Sequence, residues 1–197
     1  MAKRKGKGRP KWTTVVGKAV IGAERVWLRD IASEVEAQFG TNMVIVNIGI
    51  FRGATMYCMR AGAPKARLVG IDTVYPQGPR LGDGLRAEVV IGDSGKCHAA
   101  FDGPVHLLFV DGDHRYEAVK ADIEGWAPKV VSGGVIAFHD YAPAAKVAAR
   151  HAGIKQAVDE WQEGTEWGLI EAAGSIRAYR RPDKRDLIGE RGNDGRE

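Results

Sequence analysis

"VHLLFVDGDHRYEAVKADIEGWAPKVVSGGVIAFHDY", residues 105–141, decides the fold. Its first part, "VHLLFVDGD" (105–113), has the length and apolar content of a strand buried on both faces. Tyr116, Val119, Ile123 and Trp126 then recur at helical spacing and predict a helix over 115–127. After "VSGG", which reads as a turn, "GGVIAFHDY" (133–141) predicts another buried strand. Two apolar strands joined through a helix lie parallel in one sheet.

The alternation continues on both sides. Upstream, "MVIVNIGI" (43–50), "ARLVGIDT" (66–73) and "AEVVIGD" (87–93) predict three more strands, with a helix at 54–61 after the first. "AERVWLRDIASEVEAQFG" (23–40) predicts a helix with Val26, Ile31, Val35 and Phe39 on its apolar face and Gly40 as C-cap. A shorter helical piece, "TTVVGKAVIG", precedes it. Downstream, Ile154, Ala157, Val158 and Trp161 mark a helix. "EWGLIEAAG" and "SIRAYRR" predict two strands parted by Gly174–Ser175, a two-residue hairpin signal. The expected fold is α/β: a seven-stranded, mostly parallel sheet with a terminal antiparallel β-hairpin and helices on both faces.

Composition narrows the function classes. A 197-residue chain with 44% hydrophobic and 27% charged residues suits one soluble domain with a real core. No apolar run reaches the ~18–20 residues of a membrane span, and no signal-peptide pattern opens the chain, so a cytoplasmic location is expected. Cys58 and Cys97 have no metal-ligand spacing and are expected to be reduced and buried. "MAKRKGKGRPK" (1–11) holds six bases and no acid; taking these from the formal +4 leaves the remaining chain at −2. The basicity thus belongs to a tail, which reads either as a nucleic-acid contact or as a solubilising extension. Residues 182–197 read as a second tail, leaving 12–181 as the domain: N-terminal helices over 12–40 and a core over 41–181.

All five parallel strands end in polar groups. In open α/β sheets ligands bind at those carboxyl ends. "GIFRGAT" (49–55) is a turn into a helix, whose glycines allow close backbone approach to a ligand or simply make the turn. Asp72 ends the next strand, where a carboxylate can accept both hydroxyls of a ribose. Asp93–Ser94 reads as an adenine-edge contact or as a helix N-cap. Asp111 and Asp140 end neighbouring strands, where two carboxylates repel unless one is protonated or a cation lies between them. Oxygen ligands suit Mg²⁺, with Mn²⁺ or Ca²⁺ as alternatives, and His139 is a candidate third ligand. Strand alternation would turn His139 away from Asp140. His114 reads as a general base or as a helix-terminal histidine without catalytic duty. His98, His106 and His151 stand out by nothing in the sequence. Tyr116 and Trp126 read as helix packing.

"VNIGIFRGATMYCMRAGAPKARLVGIDT" followed by "LLFVDGDHRYEAVKADIEGWAPKVVSGGVIAFHD" resembles the class I S-adenosylmethionine-dependent methyltransferases. The similar family includes cephalosporin-biosynthesis and macrolide-sugar O-methyltransferases and, more distantly, catechol O-methyltransferases. The resemblance covers about residues 40–180 and implies a Rossmann-like fold. It implies that Asn47, Gly49, Gly53 and Thr55 serve the methionyl part of the cofactor, that Asp72 binds its ribose, and that Asp93 and Ser94 lie near adenine. It further implies that Asp111, also beside the cofactor, and Asp140 hold a divalent cation orienting a substrate hydroxyl, and that His114 is the general base. Two positions depart from the family pattern. Asn47 replaces an acid before the glycine turn, and His139 replaces a third carboxylate or amide ligand.

The expected activity is metal-assisted O-methylation of a small-molecule or sugar hydroxyl. A homo-oligomer is compatible with it. Three other readings compete. A nicotinamide-dependent dehydrogenase would share the turn and Asp72, but "GIFRGA" is not G-x-G-x-x-G and DGDH stays unexplained. A nucleic-acid methyltransferase would use the basic tail. An inactive binding module would keep the fold without the chemistry.

Overall fold

The computed structural model describes residues 22–74, 85–142 and 148–183. Its elements in chain order are α1 (Gly22–Phe39), β1 (Val44–Ile48), α2 (Ala54–Gly62), β2 (Arg67–Asp72), β3 (Ala87–Ile91) and α3 (Ser94–Cys97). They continue with β4 (Val105–Val110), α4 (Tyr116–Trp126), β5 (Val130–Phe138), α5 (Ala152–Glu163), β6 (Gly168–Ile170) and β7 (Arg177–Arg180). The seven strands form one sheet in the order β3-β2-β1-β4-β5-β7-β6. The first five are mutually parallel and β7 runs antiparallel to both of its neighbours. This is the expected Rossmann-like sheet. The tails at 1–11 and 184–197, the helical piece before Gly22 and most of the 74–86 loop lie outside the described residues. Among the described residues no helix is long and apolar enough to cross a membrane.

Two cores follow from the two-residue strand period. Leu107 and Phe109 of β4 join Leu28, Ile31, Met56 and Met59 beneath α1 and α2. Leu108 and Val110, pointing the other way, join Ile123, Trp126, Ile154 and Val158 beneath α4 and α5. Burial on both faces explains why the strands read as continuous apolar runs. Cys58 is buried and Cys97 half-buried, and both are free thiols; burial pushes the Cys58 thiol up to about 11.

Three expectations need correction. Val26 is 43% exposed, and the buried stripe of α1 is Glu24, Leu28, Ile31, Ala32 and Val35. The Gly133 turn lies inside β5, not before it. Pairing slips from Val105↔Val130 to Leu107↔Val135, with Gly133 at φ 75. A bulge absorbs the extra residues and lets the strand begin at Val130. Gly174–Ser175 does turn, with Ile176 N–H donating to the Ala173 carbonyl, but the β6–β7 ladder starts only at Ile170↔Ala178. The hairpin connection is therefore longer than two residues, because Ser175 is drawn into contacts with α1.

Trp126 locks the second core. It is fully buried, stacks obliquely on Phe101 at 5.1 Å, and its indole N–H donates to the Ser94 carbonyl at 2.9 Å. Asp122, one turn earlier, is 2% exposed and its Oδ1 has no hydrogen-bond partner. Burial pushes its carboxyl up to about 6 against a Ser94 side-chain hydrogen bond that lowers it. A folded pKa above the unfolded value of 3.8 means that the fold loses stability as pH rises from about 4 to about 6. Asp122→Asn is therefore expected to be more stable than the wild type above pH 6, by up to roughly 2–3 kcal/mol, with the difference vanishing below about pH 4. Urea unfolding at pH 4 and pH 8 checks this; a variant weaker than wild type at pH 8 contradicts it.

Candidate active site

The sheet order reverses between β1 and β4, so a crevice opens at their carboxyl ends. Backbone hydrogen bonds extend past the strands and pin the residues that follow. Gly49 N–H donates to Ile71 O, Asp111 N–H to Ile48 O, and His139 N–H to Val110 O, at 2.8–3.0 Å. Gly49 has φ 81, and a Cβ there would stand 1.9 Å from the Asp111 carbonyl oxygen. The first turn can close onto β4 only with glycine at this position.

A cleft of about 1110 Å³ runs along this edge. Gly49, Asp72, Asp93, Ser94 and Asp111 line it, as does Asp122. Asn47 and Thr55 do not line it and are buried. Asn47 donates its Nδ2 to Gly49 O at 2.9 Å, and its Oδ1 is buried without a partner. Gly53, in the left-handed conformation, is the N-cap of α2. Asp72 accepts the N–H groups of Ile50 and Phe51 on Oδ2 and that of Val74 on Oδ1 at 3.2 Å. It thereby holds the glycine turn in shape. Asp93 is the N-cap of α3, accepting from Gly95 N, and pairs with Lys96. Asp113 pairs with Arg115 beside it, and Tyr116 donates its hydroxyl to Glu160 at 2.5 Å.

Beside the cleft stands a denser cluster. Asp140 has φ 55, a left-handed conformation for a non-glycine residue. That breaks the strand alternation, so His139 and Asp140 face the same side, contrary to expectation. His139 Nδ1 lies 3.0 Å from Asp111 Oδ1 and 3.4 Å from Asp140 Oδ2, and its Nε2 lies 3.4 Å from Glu24 Oε2. Burial works against a charged imidazole here. Hydrogen bonds to Asp111, Asp140 and Glu24 outweigh it and push the His139 pKa up to about 12. Burial raises Asp111, with the His139 hydrogen bond opposing. Burial pulls Asp140 upward too, yet His139, His151 and His114 hold it below the usual carboxylate range. Three carboxylates around one imidazolium leave the sheet edge net negative, which favours a cation.

Two members of the cluster escaped the sequence reading. Glu24, 2% exposed, sits in the first turn of α1 and accepts both the backbone N–H and the hydroxyl of Ser175 at 2.8 and 2.9 Å. The signal was available: Glu24, Leu28, Ile31 and Val35 share one helical stripe, and an acid on it needs a buried partner. His151, the N-cap of α5, carried no such signal. Its Nδ1 lies 3.3 Å from Asp140 Oδ2, and its ring centroid is 4.3 Å from that of His114. His114 Nε2 is 3.7 Å from the same Asp140 oxygen. Burial, then the His151 charge, lower the His114 pKa, so His114 is a neutral imidazole at neutral pH.

Residues 46–141 match a family model described as a methyltransferase domain. An uncharacterised protein of Sinorhizobium fredii (strain NBRC 101917 / NGR234), y4gI, is 54% identical over 39 residues, which are 20% of this chain and only 4% of that protein. Among solved structures, cofactor-bound Rv0187 from MTB aligns with a TM-score of 0.64 at 19% identity, covering 86% of this chain and 84% of that one. The O-methyltransferase NovP aligns with a TM-score of 0.58 at 18% identity, over 79% of each chain. The methyltransferase MycE of the mycinamycin biosynthetic pathway, solved with Mg, SAH and mycinamycin VI, aligns at 0.55 and 15% identity over 89% of this chain and 58% of that one. Residues 46–141, just under half of the chain, are thus similar to a methyltransferase domain, and the sheet that carries them has the Rossmann-like fold of the aligned structures.

Proposed function

We propose that the chain transfers the methyl group of S-adenosylmethionine to a hydroxyl of a small molecule. The observation that carries this reading is the meeting of the cleft with the histidine–carboxylate cluster at Asp111, within the stretch that matches a methyltransferase domain. The SAH bound in the MycE structure supports the donor. The mycinamycin VI bound in the same structure supports a small-molecule acceptor.

Along the cleft, the glycine turn from Gly49 to Arg52, leading into α2, takes the methionyl end, where N–H groups at a helix start suit a carboxylate, while Thr55 lies buried outside the cleft. Asn47 acts through the Gly49 carbonyl that it holds. Asp72 serves the ribose, but with a narrower role than both hydroxyls. Three backbone N–H groups already occupy three of its roughly four acceptor positions, leaving one. Asp93 and Ser94, fixed by the α3 cap and by Trp126, flank the adenine.

The cluster residues fit a divalent cation. Separations of 3.0 and 3.4 Å among Asp111 Oδ1, His139 Nδ1 and Asp140 Oδ2 suit neighbouring ligands of one ion, which would displace the Nδ1 proton of the imidazolium. Glu24 faces the outer nitrogen of His139, as an outer-shell carboxylate does. Bound there, Mg²⁺, Mn²⁺ or Ca²⁺ would supply Lewis acidity and a template for the acceptor hydroxyl. The chain's own residues do the remainder. The cleft holds the donor in line, and His114, neutral and one-third exposed, accepts the hydroxyl proton at Nε2 as the oxygen attacks the methyl carbon and the sulfur–methyl bond breaks, its electron pair returning to sulfur and S-adenosylhomocysteine leaving.

Calorimetry of the full chain with S-adenosylmethionine is expected to give one site. No binding would overturn the reading. Binding without turnover on any hydroxyl acceptor would turn it into that of an inactive module. His114→Gln is expected to lower kcat by about 100-fold or more while the donor Kd stays unchanged; an unchanged kcat removes His114 as base. Asp111→Asn, or treatment with a chelator, is expected to lower turnover by at least about tenfold. Full-rate methylation by chelated protein would remove the cation from the mechanism.

A further inference from the structure

Asp140 has nitrogen neighbours on two sides, and only one side belongs to the triad with Asp111. On the other, His114 Nε2, His151 Nδ1 and Asp140 Oδ2 converge, all within 4.8 Å of one another. We propose that His114, His151 and Asp140 form a second cation site, specific for a nitrogen-seeking divalent metal of the zinc class and distinct from the Asp111–His139–Asp140 triad.

The separations match the coordination shell of that class. Ligand atoms about 2.0–2.1 Å from a tetrahedral zinc lie roughly 3.3–3.4 Å apart. Asp140 Oδ2 is 3.3 Å from His151 Nδ1 and 3.7 Å from His114 Nε2. Two imidazoles with one carboxylate are a donor set for zinc, cobalt or iron, whereas magnesium prefers an all-oxygen shell.

The group is also built. His151 Nδ1 is sequestered from solvent and has no hydrogen-bond partner. Its approach to Asp140 is therefore a proximity without a hydrogen bond, and the nitrogen stands ready to ligate. His151 is held there by the start of α5, which packs tightly on the loop carrying His114. A Cβ on Gly153 would stand 2.5 Å from Tyr116 N and 2.8 Å from His114 O. The left-handed turn at Asp140 aims its carboxylate between the two rings. Partial exposure of His114 and Asp140, at 33% and 21%, leaves a fourth position open to water. A metal held there occupies the lone pair through which His114 would accept a proton, so the loaded site is an inhibited state of the enzyme.

The test is a Co²⁺ titration of the full-length, chelator-stripped chain, read by visible d–d absorption and independent of any turnover. Expected are d–d bands of imidazole-ligated Co²⁺ that Zn²⁺ abolishes and Mg²⁺ leaves in place. Asp111→Asn is expected to keep those bands, which separates this site from the first triad. His151→Ala is expected to weaken Co²⁺ binding by more than the roughly 10–100-fold that outer-shell losses alone cost. His151→Gln serves the same purpose should the alanine variant fail to fold. Absent d–d bands, or His151 variants that bind Co²⁺ like the wild type, would overturn the proposal. So would bands lost with Asp111→Asn but kept without His151. Each outcome is independent of whether S-adenosylmethionine binds.

Discussion

The His139 imidazole between Asp111, Asp140 and Glu24 is the constraint on which the rest of the active edge depends. Its four members come from α1, the end of β4 and the end of β5, and Ser175 of the hairpin turn joins through Glu24. Taking such charges out of water costs several kcal/mol per ion, and only near-complete pairing offsets it. Removing one partner would leave a buried charge uncompensated, which is worse than never having had the pair. The cluster therefore clamps an N-terminal helix, two central strands and the C-terminal hairpin together. Ser175 illustrates the economy of the arrangement. Its one hydroxyl proton goes to Glu24 at 2.9 Å, while the 3.5 Å approach to Asp140 is too long to compete.

Asp111 joins the two halves of the edge. It lines the cleft and also pairs with His139. The cleft on one flank and the histidine–carboxylate cluster on the other therefore share a single carboxylate. The turn at Gly49 touches that residue's backbone, so the shape of the glycine turn and the position of the carboxylate are set together.

The fold was legible because strands buried on both faces leave long apolar runs, and helices between them leave a clean period. The site was legible only where a residue ends a strand. Asp72, Asp93, Asp111 and Asp140 follow apolar runs and announce themselves. Glu24 showed only as an acid on a buried helical stripe, its partner lying 115 positions away, and His151 hid because its neighbours Asp140 and His114 are brought to it by tertiary packing alone. His139 was misread in orientation, since alternation assumes an extended backbone and Asp140 at φ 55 is not extended. The Gly133 bulge was misread as a turn for a similar reason. A glycine pair between apolar residues looks the same in sequence whether the strand stops or merely kinks.

Helix α4 spans eleven residues, about 16 Å of rigid rod. One end starts just after His114. The other carries Trp126, whose indole grips the Ser94 carbonyl at the far side of the cleft. The rod thus sets the spacing between the loop that carries His114 and the Ser94 end of the cleft.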